Sequence, residues 1–301
     1  MIEIFHQRTK FDFVSNYKFT GILSVTLVIL SVILALTKMP YGVDFRGGAE
    51  IQIKFKQHVS LDHLRSTLEA DGFKGVSVQT IGDVKDNECL VKVQAHEDLN
   101  KLTADVGRSL EKNYSAQGTE VRKIDIVGPK AGAHLRFSGF MAMAWSMIAI
   151  MIYLGIRFDF KYAPGAVLAL IHDCAIVLGI YALTGTEFTL QTVAALLTII
   201  GYSTNDTVIV YDRIREHEHK YPGLPLSTHI NNAINETLSR TVLTSGATLF
   251  VSVTMYFFGG IAIRDFFLAL TIGIVVGTYS SIYIASPVTL WLEHFKVKKT
   301  A

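Results

Sequence analysis

The chain has 301 residues, half of them hydrophobic, with 18% charged residues and a mean hydropathy of +0.35. That balance is too apolar for an ordinary water-soluble domain, and the formal net charge of +2 is spread along the chain rather than gathered into the basic stripe that nucleic acid binding requires. The two cysteines, Cys89 and Cys174, fall in a polar segment and in an apolar block, and neither belongs to a metal-ligand or redox motif.

A polar start, 1–18, leads into a first span at 19–38, which ends in Lys38-Met-Pro40 with no small-residue cleavage site. This is the pattern of an uncleaved anchor rather than a signal peptide. A span needs about 20 mostly apolar residues, and six stretches qualify: 19–36, 137–156, 164–183, 190–211, 241–260 and 266–292. The last carries Pro287, which predicts a kink or an early stop.

Between the first two spans, 39–135 reads as a compact domain. Alternation at 49–55 predicts a strand, and 61–68 has helical spacing with Ser60 as its candidate cap. Strand signals recur at 76–81 and 89–93, a second helix covers 99–114, and a strand at 121–127 closes the series. The order βαββαβ is that of a ferredoxin-like α+β unit. The rest, 136–292, predicts five tightly connected spans, with one longer loop at 212–240 that contains the turn signal Pro222-Gly-Leu-Pro225. A short tail, 293–301, follows.

Cationic residues set the expected orientation. Arg8, Lys10, Lys18, Arg157, Lys161, Arg213, Arg215, Lys220, Arg240, Lys296, Lys298 and Lys299 all fall on one side, and the short loops on the other side offer only Arg264. Both termini are therefore expected in the cytoplasm, with 39–135 outside.

The fourth span carries a polar stripe. Gln191, Thr198, Tyr202, Asn205 and Asp206 follow one another at helical spacing on one face. An ionised Asp in a span costs roughly 2.5–3.5 kcal/mol on insertion scales, so it is retained for a partner, a wet cavity or an ion path. The fifth span opens with Arg240, followed by Thr244 and Thr248 in one row and Ser245 and Ser252 alongside. Hydroxyls in membrane helices often bond their own backbone and carry little meaning alone. Asp206 and Arg240 are expected at similar depth. Their meeting fits a movable switch, in which Arg240 alternately favours and releases the charge on Asp206, or a fixed ion pair that sets helix register. An Arg240 that only snorkels to the interface is a third reading.

His172-Asp173 in the third span fits a relay station or a hydrogen-bonded helix contact, and no third ligand accompanies the pair to make a metal site. Gly273-Ile-Val-Val-Gly277 is a small-xxx-small seam for close helix packing. Asp44-Phe-Arg-Gly47-Gly48 lacks the strand–loop–helix setting of a phosphate loop and reads on spacing alone as a tight turn. No nucleophile–base pair, nucleotide-binding signature or cofactor motif emerges, so an enzyme is not expected.

Four motifs together resemble the SecF family, membrane subunits of the bacterial SecD–SecF protein-export factor. They are Val43-Asp-Phe-Arg-Gly-Gly48, Ala169-Leu-Ile-His-Asp173, Gly201-Tyr-Ser-Thr-Asn-Asp-Thr-Val-Ile-Val-Tyr-Asp-Arg-Ile214 and Asn235-Glu-Thr-Leu-Ser-Arg-Thr241. The resemblance covers nearly the whole chain in order, and the motif after Gly201 is its most specific part.

It implies a bacterial plasma (inner) membrane protein that pairs with SecD. The two would form a twelve-helix, pseudo-symmetric unit of the resistance-nodulation-division (RND) type, of which this chain is one half. It further implies association with SecYEG and YajC, and use of the proton-motive force or a sodium gradient to draw unfolded secretory polypeptides outward. The family's ion-pathway residues fall on Asp206 and Arg240, with Asn205, His172, Asp173, Tyr202, Thr244 and Thr248 as accessory polar residues, and Asp44, Gly47 and Gly48 as the motif after the first span. Membrane lipid is the surrounding solvent, and neither a metal nor a cofactor is implied. Two rivals stand beside this reading: a non-conducting assembly subunit, and half of a small-molecule RND-type exporter.

Overall fold

The computed structural model describes residues 9–82, 86–94 and 99–300. The side chains at 99–100 and 294–300, like residues 1–8 and 301 of the expected termini, lie outside the described residues. The first helix, α1, runs over Tyr17–Lys38. A single turn, α2, at Val43–Arg46 leads into the sheet domain: β1 at Gly48–Phe55, α3 at Leu61–Ala70, β2 at Ser77–Ile81, β3 at Glu88–Gln94, α4 at Leu99–Tyr114 and β4 at Thr119–Val127. The sheet is antiparallel in the order β2-β3-β1-β4, the ferredoxin-like arrangement expected from the element order.

Period-two alternation builds this domain. Ala49, Ile51, Ile53 and Phe55 point to one face of β1 and are buried against Leu64 and Leu68 of α3 and Leu102, Val106 and Leu110 of α4. The other face carries Glu50, Gln52 and Lys54. Ser60 occupies the cap position of α3 but makes no side-chain cap bond there; its carbonyl alone accepts, from the Leu64 N–H at 2.9 Å. Strand β4 departs from the alternation, because Val121, Ile124 and Ile126 stay exposed although they lie opposite Ile53, Ile51 and Ala49.

Five further helices follow, α5 at Pro129–Arg157, α6 at Ala163–Thr184, α7 at Leu190–Lys220, α8 at Leu226–Phe258 and α9 at Ile261–Ser280, and α9 continues as α10 at Ser286–Thr300. With α1 they make six helices long and apolar enough to cross a membrane. Helix α5 begins at Pro129, earlier than the apolar run indicates, because proline is pre-organised for a first helical position. The predicted break at Pro287 lies slightly upstream: Ser281–Ala285 forms a π-helical turn. The proline ring displaces the carbonyl four residues back, and the Ser286 hydroxyl donates to the Ser281 carbonyl at 3.1 Å.

Helices α6 and α7 are the most buried of the six and form the centre. Glycine lets their neighbours close in. A Cβ on Gly179 of α6 would collide with Ser31 of α1, and one on Gly273 of α9 with Ile199 of α7. One turn on, Gly277 faces Ser203, so the small-residue seam packs α9 on α7.

The sheet domain sits at one end of the bundle. On the far side, α7 and α8 project as a helical hairpin, so most of the predicted 212–240 loop is helix. Glu236 there pairs with Arg213 and accepts from His217 Nε2 at 3.0 Å. An extended strap at residues 9–13 lies along the hairpin. The Asn235 amide accepts the Phe11 N–H and donates to the Phe11 carbonyl, both at 2.9 Å. Asn231 accepts the Phe13 N–H at 2.8 Å and donates to the Phe11 carbonyl at 3.1 Å.

Burial pushes the Cys89 thiol in β3 up to about 12, from an ordinary 9.0. The unfolded chain therefore loses this proton at lower pH than the folded one, and stability falls as pH rises from about 9 to about 12. Alkylation of Cys89 at pH 8 is expected only after denaturation, which iodoacetamide labelling with and without denaturant measures, and Cys89→Val should flatten the alkaline fall.

Candidate functional site

Two carboxylates lie inside the bundle, in unlike surroundings. Asp173 of α6 is fully buried, at 0% exposure. Its Oδ2 accepts from Ser203 Oγ of α7 at 2.7 Å and from Ser280 Oγ of α9 at 2.9 Å. Its Oδ1 lies 3.1 Å from His172 Nδ1. Three helices thus meet on one carboxylate, where Gly277 leaves room for it. The His172 ring lies beside Tyr279, with centroids 6.0 Å apart, and its Nε2 is buried without a hydrogen-bond partner among the described residues. Tyr279 reaches Ser24 of α1 at 2.8 Å, which draws the first helix into the same polar layer.

Asp206 is three residues beyond Ser203, about 4.5 Å further along α7. It is 1% exposed, yet its hydrogen bonding is thin. Among the described residues, the bond it accepts is from Ser245 Oγ of α8, at 3.4 Å. Such a length is near the limit for a hydroxyl donor. Ser245 is itself a junction, taking a bond from Thr278 Oγ1 at 2.8 Å and from Tyr202 OH at 3.4 Å. The polar face expected from spacing is therefore real for Tyr202 and Asp206, which converge on Ser245.

Arg240 lies close enough for its charge to act on Asp206, but it is exposed, and among the described residues no ion pair joins the two. The close meeting anticipated from depth is absent here, because the Arg240 side chain lies on the open face of α8. Thr244 and Thr248 donate to the carbonyls of Arg240 and Thr244, each at 3.0 Å, the self-satisfying pattern of hydroxyls in membrane helices. Asn205 is exposed on α7. Asp44, Gly47 and Gly48 lie at the sheet-domain end, away from both carboxylates, where the Asp44 side chain accepts the Leu190 N–H at 2.9 Å.

Spacing did not single out Ser203, Ser280 or Thr278. Ser203 lies one turn before Asp206, and Ser280 lies three residues past Gly277, so extending the small-residue seam by one turn reaches it. No group of three or more His, Cys, Asp or Glu side chains fit to hold a metal occurs among the described residues.

Six helices long and apolar enough to cross a membrane, a ferredoxin-like domain on one end and carboxylates buried in the core define a polytopic α-helical membrane protein. A family model described as "Protein export membrane protein SecD/SecF, C-terminal" matches residues 107–295, and one for the "SecD/SecF GG Motif" matches residues 32–59. The SecF protein translocase subunit of Rickettsia rickettsii is 38% identical over 299 residues, covering 99% of this chain and 97% of the relative. That of Rickettsia prowazekii is 39% identical over 290 residues, covering 96% and 93%. The crystal structure of SecDF, a translocon-associated membrane protein from Thermus thermophilus, superposes with a TM-score of 0.84 at 36% identity. It is matched over 97% of this chain, which spans only 40% of the SecDF chain. A SecDF structure in a super-membrane-facing form gives a TM-score of 0.74 at 35% identity, over 99% of this chain and 41% of that one. The chain belongs to the SecD/SecF family of protein export membrane proteins, and within it the resemblance along its whole length is to SecF subunits.

Replacing Asp173 separates geometry from charge. An Asn carbonyl still accepts from Ser203 and Ser280, so Asp173→Asn should unfold in detergent within a few degrees of the parent. Asp173→Ala should lose about 1–3 kcal/mol for the buried Ser203 hydroxyl, while Ser280 can still donate to the Gly277 carbonyl at 3.1 Å, read as a clear fall in unfolding temperature.

Proposed function

We propose that this chain is the SecF-type half of an ion-driven protein-export unit, with Asp206 as its charge-changing group and Arg240 as the neighbour that biases it. The observation that carries this reading is the contrast between the two buried acids. Asp173 has its acceptor sites filled by neighbours, as a fixed structural group should. Asp206 is as deeply placed but among the described residues has one long bond, so its charged form gains little from its surroundings and neutralisation by a cation costs few contacts. Arg240, exposed and not paired to it, is free to approach when Asp206 is ionised.

In this reading a SecD-type half supplies the remaining helices, SecYEG and YajC are neighbours, and an unfolded secretory chain is the cargo. The unit works in the bacterial inner membrane with the sheet domain outside and both termini in the cytoplasm. A proton descending about 100 mV releases roughly 2.3 kcal/mol, enough to bias a two-state switch some fiftyfold. A sodium gradient serves equally on these residues.

The open face of α7 and α8 supports the partnership. Gly201 and Asn205 of α7 and Thr244 of α8 are exposed, and a Cβ on Gly201 meets nothing within 4 Å. A stripe of small and polar residues is a poor lipid contact and a good helix contact. The same face holds Arg240 and is one side chain removed from Asp206.

Two experiments test the reading. Asp206→Asn, in membrane vesicles with an imposed ion gradient, should abolish the gradient-dependent stage of secretion while the complex assembles normally; Arg240→Met should reduce it at least tenfold. Undiminished gradient dependence in Asp206→Asn rejects the ion-site assignment. Separately, Gly201→Phe should leave the chain's own unfolding temperature unchanged yet prevent copurification with a SecD-type partner, since only a neighbouring helix would collide with the ring.

A further inference from the structure

The motif after α1 touches neither buried acid, yet it grips the helix that carries Asp206. Asp44 Oδ2 accepts the N–H of Leu190, the first residue of α7, at 2.9 Å across 146 positions of sequence. The local capping box between Thr189 and Thr192 satisfies another of the free donors of that turn. Asp44 adds a second acceptor and a negative charge at the positive end of the helix. Backbone pairing reinforces the contact: the Phe188 N–H donates to the Pro40 carbonyl at 2.7 Å, and the Gly42 N–H to the Phe188 carbonyl at 2.9 Å.

The same short segment is wedged against the sheet domain. Gly47 has φ +81, and a Cβ there would come within 2.9 Å of the Pro129 backbone at the start of α5. Gly48 begins β1, opposite Gln94 of β3 and Val127 of β4. Glu187, just before α7, pairs with Lys92 of β3 at 2.8 Å and with Arg46 of α2 at 3.8 Å. The start of α7 is thus fastened to the sheet by side chains, although the chain itself enters and leaves the sheet domain through α1 and α5. A crevice of about 530 Å³, lined by residues including Asp44, Gln52, Lys92, Thr189, Ala262 and Asp265, opens beside this joint, between the polar face of the sheet and the starts of α7 and α9.

We propose that Asp44 is a positioning residue that couples α7 to the sheet domain, so that displacement of α7 on charge change at Asp206 moves the sheet domain over that crevice. Asp206 lies sixteen residues along the same uninterrupted helix, about 24 Å from Leu190. The inference rests on the ion-site reading of Asp206.

The test uses the full chain, co-produced with its SecD-type partner in membrane vesicles. Labels at Lys112→Cys on the sheet domain and Leu183→Cys at the end of α6 report their separation with and without an imposed ion gradient. The gradient-dependent change in separation, and the gradient-dependent stage of secretion, should both fall about 5- to 150-fold in Asp44→Ala. Asp44→Asn should keep most of both, because its side-chain oxygen still accepts from Leu190. Leu190→Pro is the companion variant: proline is favoured at a first helical position, and it removes the N–H at the cost of one half-exposed side chain, so it should reproduce the Asp44→Ala loss with the complex intact. A distance change that persists in Asp44→Ala or in Leu190→Pro overturns the joint, as does its absence from the parent. A change lost in Asp44→Ala but retained in Asp206→Asn supports the joint and rejects Asp206 as its driver, which separates the two failures.

Discussion

A carboxylate that water does not reach ties three helices of this bundle to one point. Stripping Asp173 of water is tolerable only because Ser203 and Ser280 replace the lost hydration from two other helices and His172 stands on the remaining oxygen. In hydrocarbon there is no hydrophobic gain from bringing helices together, so such bonds and close small-residue contacts must fix register. The positions of α6, α7 and α9 follow from this contact, and with them the depth at which Asp206 is held.

That fixed point gives the second acid its meaning. Asp206 is carried on the same α7 that Ser203 pins, one turn further along, and it faces α8 through a single long bond. A well-satisfied acid beside a poorly satisfied one is the contrast on which the proposed division of labour rests. The open surface of α7 and α8 lies next to the second of these, so the proposed ion site and the proposed subunit contact adjoin.

Much of this was legible in the residues. The six spans follow from length and hydropathy, and the βαββαβ order from alternation and helical spacing, because local periodicity reports which face is buried. Asp206 stood out for its cost in an apolar run. What spacing within one helix does not contain is the partner from another: Ser280 reaches Asp173 from 107 residues away, and nothing local to either marks the pair. The same holds for Asp44 and Leu190, where a segment that scans as a simple turn acts as a remote cap. Arg240 and Asp206 show the converse limit, since equal depth on adjacent helices leaves a switch, a fixed pair and a snorkelling arginine all open and does not fix the rotation that decides whether side chains touch. Ser60 has the right residue type and position for a cap, but its hydroxyl makes no such bond.

The asparagine strap has a consequence for the order in which this protein is built. Among the six helices of this chain α1 is made before the other five, yet both of its ends are secured by residues made much later: Phe188 beyond one end, and Asn231 and Asn235 at the other. In the meantime α6 receives its flank, with the notch at Gly179 admitting Ser31. The ends close later, when α8 has been made and its two amides meet the backbone at Phe11 and Phe13. Of this chain's six helices, the earliest made is among the last to have both ends fastened.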